Sequence, residues 1–193
     1  MPTFSDKPTL LGTKTLLRPV RPEQDLPMLR VMLDDPDVLR YTSDSWTPEP
    51  PEWTEEMEQR LVDWYTTRND QPDRLDLIVV DRATDRGVGE IVLNEWSEPN
   101  RSCNLRIALG PDGRDRGLGT EAVRLLTDHA LRTLGLNRVS LSVYAFNPRA
   151  RRAYEKAGFK LEGIRRQVLR HGDRWIDDID MAALAEHWNQ HEA

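Results

Sequence analysis

The chain has 193 residues, enough for one domain with a real hydrophobic core, and a formal net charge of −6 that argues against nucleic acid as the main partner. A single cysteine, Cys103, excludes an intrachain disulfide and fits a reducing compartment. No apolar run is long enough to span a membrane, and the N-terminus has no signal-peptide pattern, so the expectation is one soluble, cytoplasmic domain over residues 1–193.

In chain order, Lys14 to Val20 is apolar, ends near prolines and reads as a first strand. Pro22 to Leu33 reads as a helix that Pro27 weakens, with a short helical continuation through "DDPDVLRY". Ser43 to Pro51 reads as a loop, and Pro51 to Arg68 as a helix with proline and acids at its start. Leu77 to Val80 and "VGEIVL", joined by "ATDRG", read as an antiparallel hairpin. From Asn104 to Leu109 the period is two: Leu105, Ile107 and Leu109 on one face, Asn104, Arg106 and Ala108 on the other.

Next comes "GRDRGLGTEA", which opens a helix from Leu118 to about Leu134, with Val123, Leu126, Ala130 and Leu134 on its apolar face and Gly135 at its end. Arg138 to Ala145 alternates again. "NPRARRAYEKAGF" supplies an asparagine cap, a first-turn proline and a terminal glycine for another helix. Two strands, Lys160 to Leu169 and Arg174 to Met181, flank "RHGD", and the tail is a short helix at most. This order predicts an α/β fold: a mixed, mostly antiparallel central sheet with one helix-linked parallel pair.

A glycine-rich helix start is an anion site, because first-turn N–H groups lack helical partners and the helix dipole adds positive charge there. Gly113, Gly117 and Gly119 leave the backbone open, and Arg114 and Arg116 add forked donors, so the pattern suits a diphosphate. The same residues also read as a glycine turn carrying solvated arginines. A Walker loop is excluded, since no Gly-Lys-Ser/Thr follows. A dinucleotide fingerprint is nearly met by Gly117, Gly119 and Ala122, which leaves a nicotinamide-dependent oxidoreductase as a rival. Its context is wrong: the loop after Leu109 is long, the preceding sheet reads as antiparallel, and no acid closes the next strand.

"RDRGLG" resembles the Arg/Gln-x-x-Gly-x-Gly/Ala signature of the GNAT N-acetyltransferases. The stretch from "GLGTEAVRLL" to "YEKAGFKLEG", with "GDRWIDDIDMAAL" after it, is similar to the branch holding the ribosomal-protein N-terminal acetyltransferases and spermidine acetyltransferase. The resemblance is strong from about Asn104 to Leu184, "LLRPVRPEQD" fits the family's first strand and turn, and about Tyr41 to Arg74 matches nothing diagnostic. It implies a GNAT fold in which the strands on either side of the loop and its helix splay apart around the pantetheine arm of acetyl-CoA. Ile107, Ala108 and Leu109 would then line the arm. Arg114, Arg116 and the amides of Gly117, Leu118, Gly119 and Thr120 would hold the pyrophosphate. Asn147 would contact the arm, and Tyr154 would protonate the leaving thiolate. Taken without the resemblance, Tyr154 is a helical tyrosine packing near Gly158 and Phe159. The implied reaction is direct attack of a primary amine on the thioester, the acceptor being a protein or peptide N-terminus, a polyamine or a small-molecule amine. Relatives often dimerise, which makes a homodimer an expectation.

The general base is where the match departs. Aligning on Asn147 puts Ser142 where relatives can carry a glutamate, and Glu90 and Glu95 are the substitutes the sequence offers, each also readable as surface charge. That departure keeps a non-catalytic acyl-CoA-binding sensor as the alternative to an enzyme. Trp46, Trp53, Trp64, Trp96 and Trp175 could wall an acceptor pocket for a cationic amine, or be core residues. The histidines are scattered and "DDID" splits across two faces, so no metal is expected.

Overall fold

The computed structural model describes residues 4–43, 50 and 52–188. Trp46, most of the Ser43–Pro51 loop and the last residues of the tail lie outside them. Eight strands form one sheet: β1 (Leu10–Leu11), β2 (Thr15–Pro19), β3 (Leu75–Asp81), β4 (Arg86–Ser97), β5 (Ser102–Leu109), β6 (Arg138–Tyr144), β7 (Lys160–His171) and β8 (Arg174–Leu184). Their order is β1-β2-β3-β4-β5-β6-β8-β7, and every neighbouring pair is antiparallel except β5–β6. The expected mixed sheet is therefore present, with β1 added at its edge.

Helices cover both faces. α1 (Pro22–Asp34), α2 (Pro36–Thr42) and α3 (Glu55–Thr66) lie on one, α4 (Leu118–Asp128) and α5 (Pro148–Ala157) on the other, and α6 (Ala185–Trp188) follows β8. α1 runs through Pro27. The ring costs one backbone bond, about 3 kcal/mol in a helix interior, but Leu29 and Met32 are fully buried in the same cluster as Ile78 and Val80. At about 1.5–3 kcal/mol for each buried apolar side chain, packing outweighs the lost bond. On the opposite face, Leu105 of β5 joins Leu118, Val123 and Leu126 of α4 in the larger core.

α4 ends earlier than its apolar period predicts. His129–Thr133 forms a π turn, with Leu134 N–H donating to His129 O at 2.9 Å. The wider turn buries the adjacent Ala130 and Leu131 and leaves Leu134 half-buried. α5 has both expected ends: Asn147 Oδ1 accepts from Ala150 N–H at 3.1 Å, and Gly158 adopts φ 109° at the C-terminus.

Glu121 locks the first hairpin to α4. Its carboxylate accepts from the N–H groups of Thr13, Lys14 and Thr15 at 2.7–3.0 Å and from Thr15 Oγ1 at 2.7 Å. Burial alone would raise this carboxyl, yet the four donors hold it below its usual value.

Candidate active site

β5 and β6 pair only through Ser102↔Arg138, Cys103↔Val139 and Asn104↔Ser140. Beyond that point the strands part. Alternate residues of a strand direct their N–H and C=O groups toward one neighbour, so the end of β5 from Leu105 to Leu109 presents unpaired backbone to the gap. The gap opens into a cleft of about 1170 Å³ that reaches the start of α4 and one face of α5.

At its α4 end the cleft meets a backbone cradle. Gly117 takes φ 80°, a left-handed conformation that glycine adopts without strain, and its helix start carries no side-chain cap. The first-turn amides of α4 are thus left to an incoming anion. At Gly119 an added Cβ would stand 3.0 Å from Leu109 Cδ1, so a side chain there would press on Leu109 and displace its methyl.

The expected residues divide. Ile107, Ala108, Leu109, Arg114, Gly117, Gly119, Thr120, Asn147 and Tyr154 all line the cleft, as does Glu95. Arg116 does not: its guanidinium turns to the nearly buried Asp81 carboxylate at 2.8 Å and to Asp112 O at 3.1 Å. The Leu118 side chain is in the core, 2% exposed, so only its backbone can serve the cradle. Arg114 reaches the cleft wall but is already engaged, donating to Leu109 O at 3.0 Å, to Asp37 at 3.2 Å and to Asp35. It clamps the α1–α2 junction onto the loop. Burial would raise Asp35, but the Arg114 hydrogen bond and the Val38 amide bring it below the ordinary carboxylate range.

Tyr154 is nearly buried beside Phe159, and burial pushes its phenol up to about 12, so it is a protonated donor at neutral pH. Glu90 sits on the α1–α3 face, away from the cleft lining. Its Oε2 accepts from Tyr65 Oη–H at 2.8 Å, and burial raises its pKa despite that bond. The structure thus places Glu90, one of the two substitutes for the base that the sequence offers, outside the cleft lining.

None of the described tryptophans lines the cleft, and Trp46 lies outside the described residues. Trp53 donates to Asp34 at 2.6 Å, Trp64 stacks under Arg68, Trp96 packs on Phe4, and Trp175 is exposed on β8. The aromatic residues lining the cleft are instead Tyr41 and Tyr144, each stacked on Phe146 with centroids 5.7 and 5.4 Å apart. Tyr144 also donates to Ser43 O at 3.0 Å, which ties α2 to β6. Glu95, Asp178 and Asp180 also line the cleft, as does Asp37, which pairs with Arg114 of the loop before α4.

Basic residues missed by the sequence reading also line the cleft. Arg149, Arg152 and Lys156 line the cleft from α5, and their i, i+3, i+7 spacing on one helical face was the available signal. Among the described residues no three His, Cys, Asp or Glu side chains are grouped to hold a metal, and no helix is long and apolar enough to cross a membrane.

Comparison with known proteins agrees with this architecture. The acetyltransferase (GNAT) domain family matches residues 14–160. Spermidine N(1)-acetyltransferase of Escherichia coli (strain K12) is 30% identical over 148 residues, covering 76% of this chain and 73% of the relative. Mycothiol acetyltransferase of Rhodococcus jostii is 32% identical over 175 residues, covering 78% of this chain, which spans only 54% of that relative. Among solved structures, a GNAT-family acetyltransferase from Bacillus anthracis superposes with a TM-score of 0.76 at 19% identity, covering 93% of this chain and 99% of the other. The spermidine N-acetyltransferase of Vibrio cholerae, solved with CoA and spermine, gives 0.74 at 22% identity, covering 92% and 99%. With the sheet parted at Asn104↔Ser140, a glycine-started helix beneath the gap and a family match across most of its length, the chain belongs to the GNAT acetyltransferase family.

Proposed function

We propose that the chain moves the acetyl group of acetyl-CoA to a primary amine that arrives as a cation. The observation that carries this reading is the end of β5–β6 pairing at Asn104↔Ser140 beside the uncapped start of α4. An extended thioester arm can hydrogen-bond to the free edge of β5 while the first-turn amides of α4 take its diphosphate. The residues fit that group. The cradle is backbone, its glycines leave room, and Arg149, Arg152 and Lys156 supply positive charge along the cleft.

The chemistry then follows from the groups at the gap. A neutral amine attacks the thioester carbon and forms the C–N bond, while negative charge moves to the carbonyl oxygen. Backbone N–H groups at the edge of β5 stabilise that oxygen. When the C–S bond breaks, sulfur leaves with the electron pair and Tyr154 gives it a proton. Glu95, Asp178 and Asp180, with the ring faces of Tyr41 and Tyr144, attract and hold a cationic acceptor. Spermidine and mycothiol acetyltransferases among the relatives favour a small amine. The sensor alternative finds no favouring observation, because Tyr154 lines the cleft as an available acid.

The experiment is thiol release from acetyl-CoA with spermidine, peptides of different N-termini and amino sugars, alongside calorimetric titration of acetyl-CoA. Turnover with one amine class is expected. Binding without turnover on any amine would return the sensor, and no binding would overturn the reading.

A further inference from the structure

Ser142 stands where relatives can carry a basic glutamate, and a hydroxyl is a poor base. The structure brings a carboxylate to it from another strand. β6 and β8 pair antiparallel with Ser142↔Asp180 and Tyr144↔Asp178, so these four residues share the face directed away from α4 and α5. All four line the cleft, just beyond the point where β5 and β6 part. Asp178 is 6% exposed, and Ser142, two residues from its register partner Tyr144, faces it from β6 on the same side of the sheet. From β7, the Arg165 guanidinium bridges Asp178 and Asp180, the latter at 3.1 Å. The Arg165 side chain is 55% exposed and sits beside a register shift of the edge strand. It thus occupies, from the solvent side, the place between two carboxylates that a cationic amine would take.

Resting on the acetyl-transfer reading above, we propose that Asp178, oriented by Ser142, takes the proton from the acceptor ammonium, with Arg165 as the internal cation that the acceptor replaces. The amine reaches the thioester neutral, and Asp178 passes the ammonium proton to solvent. After C–N bond formation the nitrogen sheds a second proton by the same route. Tyr154 gives one proton to sulfur and regains it from solvent. The balance is one ammonium and one thioester converted to one amide, one thiol and one released proton. Ser142 is a positioning residue here, since it acts through Asp178.

The charged and polar groups facing Asp178 are Arg165 from β7, Asp180 from its own strand, and Ser142 and Tyr144 from β6; Arg106 of β5 lines the same cleft. Burial and Asp180 raise the Asp178 pKa, while Arg165 and Ser142 lower it, and the net shift is upward. A base must be ionised to act. The acid limb of kcat therefore lies above the ordinary aspartate range, and loss of the Ser142 hydroxyl moves it to higher pH.

The test measures kcat against pH, from thiol release at saturating acetyl-CoA, for wild type, Asp178→Asn and Ser142→Ala. The amine is whichever of spermidine, a free-N-terminus peptide or glucosamine the wild type accepts. Expected are a loss of about 50-fold or more in kcat for Asp178→Asn with acetyl-CoA affinity unchanged, and an upward move of the acid limb in Ser142→Ala. Wild-type kcat and an unmoved acid limb in both variants would overturn the role of Asp178 and leave acetyl transfer standing. If Asp178→Asn fails to fold, the Ser142→Ala profile decides alone. No thiol release by the wild type with any amine would overturn the acetyl-transfer reading and this proposal with it.

Discussion

On the α4–α5 side of the cleft, the groups proposed to hold the cofactor are largely backbone: the free edge of β5 after Asn104 and the first-turn amides of α4. On the α1–α2 side they are side chains drawn from separate stretches, with Asp37 and Tyr41 from α2, Glu95 from β4, Ser142 and Tyr144 from β6, and Asp178 and Asp180 from β8. A backbone site needs only that side chains stay out of the way, so glycine spacing and helix caps describe it. A side-chain site needs distant residues in register, so it can change acceptor without disturbing the donor cradle.

Four substitutions probe that division, from the largest effect to the smallest. Tyr154→Phe removes the acid from the donor side and is expected to lower kcat by about 100-fold or more, with the KM for acetyl-CoA held; steady-state kinetics reads both. Glu121→Ala breaks the lock between the first hairpin and α4, where four donors converge on one carboxylate. A loss of about 2–3 kcal/mol of stability is expected from urea unfolding at neutral pH. The sign with pH follows from its depressed pKa. The stabilisation is full above the unfolded value and is lost as pH falls through the lower folded value, so wild type and variant converge in acid.

Gly119→Val fills the approach to Leu109 and is expected to weaken acetyl-CoA binding about tenfold, near 1.4 kcal/mol, while the pH profile of kcat is unchanged. Glu90→Gln is expected to stay within about twofold of wild type in kcat, because its hydrogen bond to Tyr65 lies outside the cleft. A large kinetic loss there would extend the acceptor side beyond the cleft lining to Glu90 and Tyr65 and break the division.

The same contrast explains what the sequence made legible. The strand–loop–helix–strand–helix run from Asn104 to Gly158 follows from local rules, with Gly117 at φ 80°, Asn147 capping and Gly158 closing, each set by residues a few positions apart. Arg114 shows where local rules stop. Its two flanking glycines suggest a phosphate donor, but its guanidinium is claimed by Asp35 from 79 residues away. Arg116 is lost to Asp81 in the same way. From the sequence Asp178 reads only as part of the acidic "DDID" stretch, because its relation to Ser142 exists only through the β6–β8 register. The tryptophans could not be placed from the sequence because residue type alone carries no orientation; the aromatics that line the cleft are Tyr41 and Tyr144, brought together by the packing of α2 on β6.

The measurement that tests the central claim most directly is amide hydrogen exchange with and without acetyl-CoA, read residue by residue. A backbone-built donor site predicts slowed exchange at the β5 edge within Leu105–Leu109 and at Leu118, Gly119 and Thr120, with little change along β8. Unchanged exchange at those amides under saturating acetyl-CoA, or protection confined to another face of the sheet, would contradict it.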